Sequence, residues 1–71
     1  MIIKMNYKIN APKYFKKQTV EFLDHQANSQ IGEIMSVETH YNHKHEAYHI
    51  YGIRVDGWER RRYVGEDNIH G

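Results

Sequence analysis

The sequence predicts a small, mainly β domain that spans residues 1–71 as one unit and contains about five antiparallel strands. Three observations predict this fold class. Apolar and polar residues alternate along several short segments, which is the pattern of strands with one buried face. A central segment, residues 31–55, can fold back on itself so that its apolar side chains share one face. Val, Ile, Thr and Tyr are frequent in both halves of that segment, and these residues favour strands.

The first predicted strand runs from Ile2 to Ile9. Apolar residues at positions 3, 5, 7 and 9 alternate with lysine and asparagine. The sequence Asn-Ala-Pro at residues 10–12 ends it. An exposed edge on this strand would allow a homodimer to form by strand pairing.

Residues Lys13 to Gln30 are compatible with two structures. In the first, a strand covers Gln18 to Leu23 and residues 25–30 form a polar loop. In the second, a helix at residues 13–28 has Pro12 at its first position and packs on a four-stranded antiparallel sheet, which gives an α+β domain. The strand is favoured because Thr-Val-Glu-Phe alternates, whereas only three of the five residues on the helix face are apolar.

The central segment predicts a long β-hairpin, and Gly32 allows the chain to turn into it. Pairing residues whose numbers sum to 90 puts a mostly apolar set on one face: Met35 with Val55, Val37 with Ile53, and Thr39 with Tyr51. A shift of one residue destroys the separation of the faces, so this register is favoured. Residues 42–48 then form the connection, and Tyr51 is expected in the core.

A second hairpin is predicted after the first. Asp56-Gly57 is typical of a tight two-residue turn, in which both positions need positive φ. A strand then runs from about Trp58 to Val64, with Trp58 expected in the core. Residues 65–69 end the fold as a turn, which includes one 3₁₀ turn and places Ile69 under the sheet.

Length and composition exclude several classes of protein. A chain of 71 residues buries only about 60% of its unfolded surface, so an enclosed active-site cavity is difficult to build. The sequence has no nucleophile elbow, phosphate-binding loop or dinucleotide fingerprint, so we expect no enzyme activity and no cofactor. It has no cysteine, no signal peptide and no apolar run of about 20 residues, which predicts a cytoplasmic protein that does not enter a membrane.

Four segments together resemble the SH3-like small barrels, a group that includes the KOW, Tudor and bacterial SH3-like types. The segments are KKQTVEFL, IGEIMSVE, YHIYGIRVDG and RRRYVGEDNI, within residues 16–69. The chain departs from the pattern by its additional strand at residues 2–9 and by Lys17, which stands where the pattern K-G-x-x-V has glycine. The resemblance implies a barrel that acts by binding protein, RNA or DNA, in the manner of a phage or mobile-element accessory protein that modulates host machinery.

Four histidines lie between residues 40 and 49, and histidine is a common zinc ligand. The register places His40 and His49 on opposite faces of the ribbon, so they cannot share one ion. Only His43, His45 and Glu46, all in the connection, remain as a candidate metal site. The alternative is a solvated loop of exposed imidazoles that bind no metal.

Six basic residues are candidates for a nucleic-acid surface, because cations neutralise phosphates and the interleaved aromatic residues can stack on bases. They are Lys13, Lys16, Lys17, Arg60, Arg61 and Arg62. The net charge of +1 gives no general preference for nucleic acid. On a strand, Arg60 and Arg62 would face one way and Arg61 the other, and the arginines can also pair with nearby carboxylates at Glu59, Glu66 or Asp67.

The leading prediction is a non-catalytic binding module whose partner is another protein. Its candidate surface consists of Tyr41, Tyr48, Trp58, Arg60 and Arg62, because Tyr, Trp and Arg dominate the energetics of protein interfaces. Nucleic-acid binding by the six basic residues is the alternative, and metal binding by the histidine loop is a more distant one.

Overall fold

The computed structural model describes residues 11–71, which form four antiparallel strands and one 3₁₀ turn. The elements are β1 (Thr19–Leu23), β2 (Ser29–Tyr41), β3 (Ala47–Arg54), β4 (Arg62–Gly65) and the 3₁₀ turn Glu66–Asn68. The strands follow chain order in the sheet, β1-β2-β3-β4. The mainly β prediction is confirmed, but the described residues form an open sheet instead of a closed barrel. The predicted strand at residues 2–9 lies outside the described residues.

The first strand settles the ambiguity of residues 13–30 in favour of a strand, and the helix alternative at residues 13–28 is wrong. Val20 and Phe22 are buried on one face, while the residues between and beside them are exposed or half-buried. The turn that follows is shorter than predicted, because Asp24 organises it. Its Oδ1 accepts hydrogen bonds from the backbone N–H groups of Gln26 and Asn28, both at 2.9 Å. Strand β2 therefore begins at Ser29.

The long hairpin is confirmed, but its register differs from the predicted one by two residues. From Ser36 to Tyr41 of β2 the numbers of facing residues in β2 and β3 sum to 88, so Val37 faces Tyr51. The physical reason is the connection, which has five residues, 42–46, because Asn42 closes it. Asn42 Oδ1 accepts hydrogen bonds from the N–H groups of Lys44 and Glu46, at 2.9 and 3.0 Å. A shift of two keeps the parity, so each side chain of this part of the ribbon stays on its predicted face.

A β-bulge at Met35 changes the register at the other end of the hairpin. Ile34 faces Ile53 and Ser36 faces Gly52, which leaves Met35 as an additional residue in β2. The bulge reverses the parity of the strand, so Ile34 enters the core and the predicted pairing of Met35 with Val55 does not form. Gly32 lies within β2, where it pairs with Val20, and not at a turn.

The core lies on one face of the sheet. Its buried apolar members are Val20, Phe22, Ile34, Tyr51, Ile53, Val55, Val64 and Ile69. Tyr51 is fully buried, as predicted. Trp58 is half-buried and packs against this cluster together with Tyr14 and Val37.

The connection between β3 and β4 is longer than the sequence predicted. Trp58 N–H donates to the carbonyl of Val55 at 3.0 Å, and Gly57 has φ of +85°, but Asp56 does not have positive φ. Asp56-Gly57 therefore forms a two-residue β-turn, but with positive φ only at Gly57, and β4 begins at Arg62 instead of Trp58. Trp58 leaves the line of the strand because its side chain packs on the core.

The end of the chain is as predicted. The 3₁₀ turn returns the chain to the outer edge of β1, where Ile69 is buried and pairs with Phe22. The N–H of His70 donates to the carbonyl of Glu21 at 2.7 Å. Among residues 11–71, no helix is long and apolar enough to cross a membrane.

Lys17 occupies a backbone position that favours glycine, with φ of +73°. Its N–H donates to the carbonyl of Ile34, whose N–H donates to the carbonyl of Gln18, the hydrogen-bond pattern of a bulge that usually carries glycine. We expect Lys17→Gly to raise the free energy of unfolding by about 1 kcal/mol, because the left-handed conformation costs other residues more. Urea denaturation measures this. Lys16→Gly, whose φ is not positive, is the control and should give no gain.

Candidate protein-interaction site

An exposed surface is built where the β3–β4 connection enters β4, and we call Trp58, Arg60, Arg61 and Arg62 the arginine–tryptophan surface. The edge of the Trp58 ring meets Phe22 of the core, with centroids 6.4 Å apart and an interplanar angle of 87°. The guanidinium carbon of Arg62 lies 4.9 Å from the Trp58 ring centroid, a cation–π contact. These residues and Glu59 line a shallow depression. The core therefore holds Trp58, and Trp58 positions Arg62.

The three arginines of this surface are exposed and have no carboxylate partner within the described part of the chain. Among residues 11–71, no Asp or Glu oxygen lies within 4.0 Å of their guanidinium nitrogens; the ion pairs join Arg54 to Glu33 and His40 to Glu38. Residues 1–10 contain no Asp or Glu. The sequence-based alternative, in which the arginines pair with neighbouring carboxylates, does not occur in the described residues. Their charge is available to a partner.

Arg61 and Arg62 lie on opposite faces of the sheet. Arg62 lies on the core side over Trp58. Arg61 crosses the outer face over Gly52: a Cβ at Gly52 would lie 2.7 Å from Arg61 Cδ and 3.3 Å from the ring of Tyr63. Tyr63 is 62% exposed beside it. The surface therefore wraps around the edge of the sheet.

The two tyrosines of the predicted surface lie elsewhere. Tyr41 and Tyr48 are exposed at the tip of the β2–β3 hairpin, on opposite faces. Tyr48 stacks on His40, with centroids 5.6 Å apart and planes at 22°. Eight residues separate Tyr41 from Glu33, which pairs with the end of β3, so the tip lies about 25 Å along the ribbon from that end. The structure brings together Trp58, Arg60 and Arg62 but not the tyrosines.

The six basic residues do not form one group either. Lys17 lies beside Ile34 of β2, and Ile34 is separated from Arg62 by Ile53 of β3. Two strands therefore lie between Lys17 and the arginines, while Lys13 lies beside Glu66, beyond the other end of β4 from Arg62. Phe15, next to Lys16, is 70% exposed.

The histidine loop contains no grouped metal ligands. Glu46 Oε1 accepts a hydrogen bond from Asn42 Nδ2 at 3.2 Å, within the loop. Across residues 11–71, no three His, Asp or Glu side chains come together in an arrangement that could hold a metal ion. His43 and His45 are exposed, which fits the solvated loop that the sequence left as the alternative.

A polar network that the sequence did not predict fixes the segment 13–14 to the sheet. The hydroxyl of buried Tyr51 donates to Glu66 Oε2 at 2.6 Å, and that oxygen also accepts the N–H of Lys13 at 3.2 Å. The Tyr14 hydroxyl donates to the carbonyl of Ile69 at 3.1 Å, and its ring meets the Tyr51 ring edge-on. In the sequence, only the carboxylate pair Glu66-Asp67 indicated a polar contact here, and that pair suggested arginine as the partner instead of Tyr51.

This network makes stability depend on pH at both extremes. Burial raises the pKa of Tyr51 to about 12, together with the hydrogen bond to Glu66. Burial alone would raise the pKa of Glu66, but the hydrogen bonds from Tyr51 and Lys13 outweigh it and lower that pKa.

We expect the contribution of Glu66 to be complete above its ordinary pKa of 4.5 and to be lost as the pH falls through its lowered pKa. The contribution of Tyr51 is complete below pH 10 and is lost as the pH rises towards 12. Urea denaturation between pH 2 and 12 measures both limbs. Glu66→Gln should flatten the acid limb and Tyr51→Phe the alkaline limb; profiles parallel to the wild type would contradict this assignment.

Comparison with known proteins gives no relative: no family model, curated protein or solved structure matches this chain. Functional inference therefore depends on the geometry of the described residues alone.

Proposed function

We propose that this chain is a non-catalytic binding module that binds another protein through the arginine–tryptophan surface. The observation that carries the proposal is a set of three exposed arginines with no carboxylate within 4.0 Å among residues 11–71, one of which, Arg62, lies over a half-buried tryptophan. The partner presents carboxylates, because the guanidinium fork binds a carboxylate through two hydrogen bonds.

The geometry favours binding at this surface for an energetic reason. Arg62 is held over the Trp58 ring, so less side-chain entropy is lost when a partner binds it than for a free arginine. Trp58 is in turn supported by Phe22 and the core. Trp and Arg residues in such a preorganised arrangement are enriched among the residues that dominate interface energetics.

A protein partner is supported better than a nucleic acid at this surface. The Trp58 ring meets Phe22 at one side and carries Arg62 on its face, which leaves little of the ring for stacking on a base. Lys17 lies two strands away and Lys13 lies beyond the far end of β4, so a phosphate backbone at this surface would meet mainly the arginines.

Nucleic-acid binding is kept as a second candidate at another place, because Phe15 is 70% exposed among Lys13, Lys16 and Lys17. An exposed ring beside cations is the arrangement that stacks on unpaired bases. Titration of a fluorescent single-stranded DNA or RNA at 50 and 200 mM salt tests it. Binding should weaken steeply with salt and be lost in Phe15→Ala; no binding at 50 mM salt would end this candidate.

An SH3-like relationship and a cytoplasmic location are also part of the proposal. The relationship is supported by a 3₁₀ turn directly after β4 that returns the chain to β1. The location is supported only by the absence of cysteine.

Capture from a nuclease-treated cell lysate tests the proposed function. The tagged chain should retain a protein partner, and Arg60→Ala and Arg62→Ala should each lower capture at least about tenfold. Lys44→Ala is the matched control, since it removes an exposed cation at the hairpin tip. Equal capture by all variants, or loss of capture after nuclease treatment, would contradict a protein partner at this surface.

A further inference from the structure

Among residues 11–71, the outer edge of β4 pairs with no strand. The sheet order places β1 and β4 at its two edges. The outer edge of β1 is engaged by the pairing of Phe22 with Ile69. Within the described residues β4 pairs only with β3, and an open groove separates Arg62, Tyr63 and Val64 from Phe22 and the turn that follows β1. An unpaired edge of this kind is a template for addition of another strand.

Basic residues precede β4 and acidic residues follow it, so β4 is complementary in charge to a second β4 that runs antiparallel to it. Three arginines precede the sequence Tyr-Val-Gly at residues 63–65, and two carboxylates, Glu66 and Asp67, follow it. In an antiparallel pair of two such strands, the basic start of each lies beside the acidic end of the other. We propose that a second copy of this chain pairs its β4 with β4 in this antiparallel way, so that it supplies the carboxylates for the arginine–tryptophan surface.

One register fits the side chains. A two-fold axis perpendicular to the sheet keeps each face on its own side, so residues facing each other must have numbers that sum to an even value. In the register summing to 128, Val64 faces Val64 of the second copy, and Tyr63 faces its Gly65. Val64 is buried on the core side and Tyr63 is exposed on the outer side, so both contacts join equivalent faces. No atom lies within 4 Å of a Cβ placed on Gly65, which leaves room for the tyrosine ring.

The same register brings opposite charges together at both ends. Glu66 and Asp67 lie in the 3₁₀ turn directly after β4, so the register brings them near Arg62 and Arg61 of the second copy by their position at the strand end. Glu66 already accepts hydrogen bonds from Tyr51 and Lys13. Asp67 is exposed and has no ion pair within residues 11–71, so Arg61 with Asp67 is the pair that an experiment can isolate.

The dimer is weak, because only four residues of each strand pair. Such an interface falls below the size of a stable complex, about 1,200 Å² of buried surface, and we expect a Kd of about 100 µM. The inference rests on the proposed function, since it uses two arginines of the same surface. An arginine-rich edge can also serve to prevent strand pairing, and the two roles predict opposite effects of removing the charge.

Sedimentation equilibrium of the full chain between 20 µM and 1 mM, in 50 mM salt, tests the dimer. The average mass should rise from 8.5 kDa towards twice that value with concentration. Arg61→Glu and Asp67→Arg should each raise Kd at least about tenfold, because each places like charges together. Mixing the two variants should restore association to the wild-type level, since the mixed dimer regains two opposite-charge pairs. Lys44→Glu is the control and should leave Kd unchanged.

Each outcome decides the inference. A monomer at 1 mM, or a mixture of the charge variants that does not associate, overturns it. Stronger association of Arg61→Glu also overturns it and assigns the arginines a protective role. Asp67→Arg separates this inference from the proposed function: it leaves the arginine–tryptophan surface intact, so capture of a different protein from lysate should persist even where self-association is lost.

Discussion

Gly32→Ala should lower the free energy of unfolding by about 3 kcal/mol and the melting temperature by about 15 °C. Gly32 lies where β2 passes from β1 to β3, and the end of β3 packs directly on it. A Cβ at this position would lie 2.5 Å from Ile53 Cγ2, 2.7 Å from the backbone oxygen of Arg54 and 3.1 Å from Val55 Cγ2. A side chain can rotate away, but a backbone oxygen within a sheet cannot, so the strands must separate.

Two other glycines provide matched controls for this substitution. At Gly52 an added Cβ would meet Ser36 Oγ and Arg61 Cδ, which are side-chain atoms, so Gly52→Ala should cost less, about 1 kcal/mol. At Gly65 nothing lies within 4 Å, and Gly65→Ala should change stability by less than about 0.5 kcal/mol. Urea denaturation of the three variants measures the series. A cost at Gly52 equal to that at Gly32 would refute the role of the Arg54 oxygen.

The amino-acid pattern predicts some parts of this sheet and not others. Alternation in Thr-Val-Glu-Phe predicted β1, since period-two patterning reports directly on which face is buried. It could not predict the bulge at Met35, because both Ile34 and Met35 are apolar and either could face the core. The number of residues in the 42–46 connection could not be predicted either, since it depends on hydrogen bonds that Asn42 Oδ1 accepts from backbone N–H groups.

The candidate site was partly predictable for the same reason. Trp58 and the arginines were identified by residue type, and their proximity follows from their closeness in sequence. The grouping with Tyr41 and Tyr48 was not correct, because both lie at the tip of the hairpin, far from Trp58. Residue type alone does not report that distance. The bond from Tyr51 to Glu66 was missed because a tertiary contact between a core hydroxyl and a terminal carboxylate leaves no local pattern.

Phe22→Ala should lower the free energy of unfolding by about 4 kcal/mol, a large share of the roughly 4–10 kcal/mol available to a domain of this size. Phe22 is fully buried, pairs with Ile69 at the edge of β1 and supports the ring of Trp58. Its loss therefore releases the C-terminal end and the arginine–tryptophan surface together. Phe15→Ala, at a position 70% exposed, is the control and should be nearly neutral.

A milder substitution connects this core residue to binding in a chain that stays folded. Phe22→Leu should cost about 1.5 kcal/mol and remove the aromatic edge contact with Trp58, the only tryptophan of the chain. The fluorescence of Trp58 should shift to longer wavelength as its ring becomes more exposed to solvent. Arg62 then loses its fixed position over the ring, so partner capture should fall although no residue of the surface has changed. Unchanged capture with a clear fluorescence shift would mean that the position of Trp58 does not matter for binding.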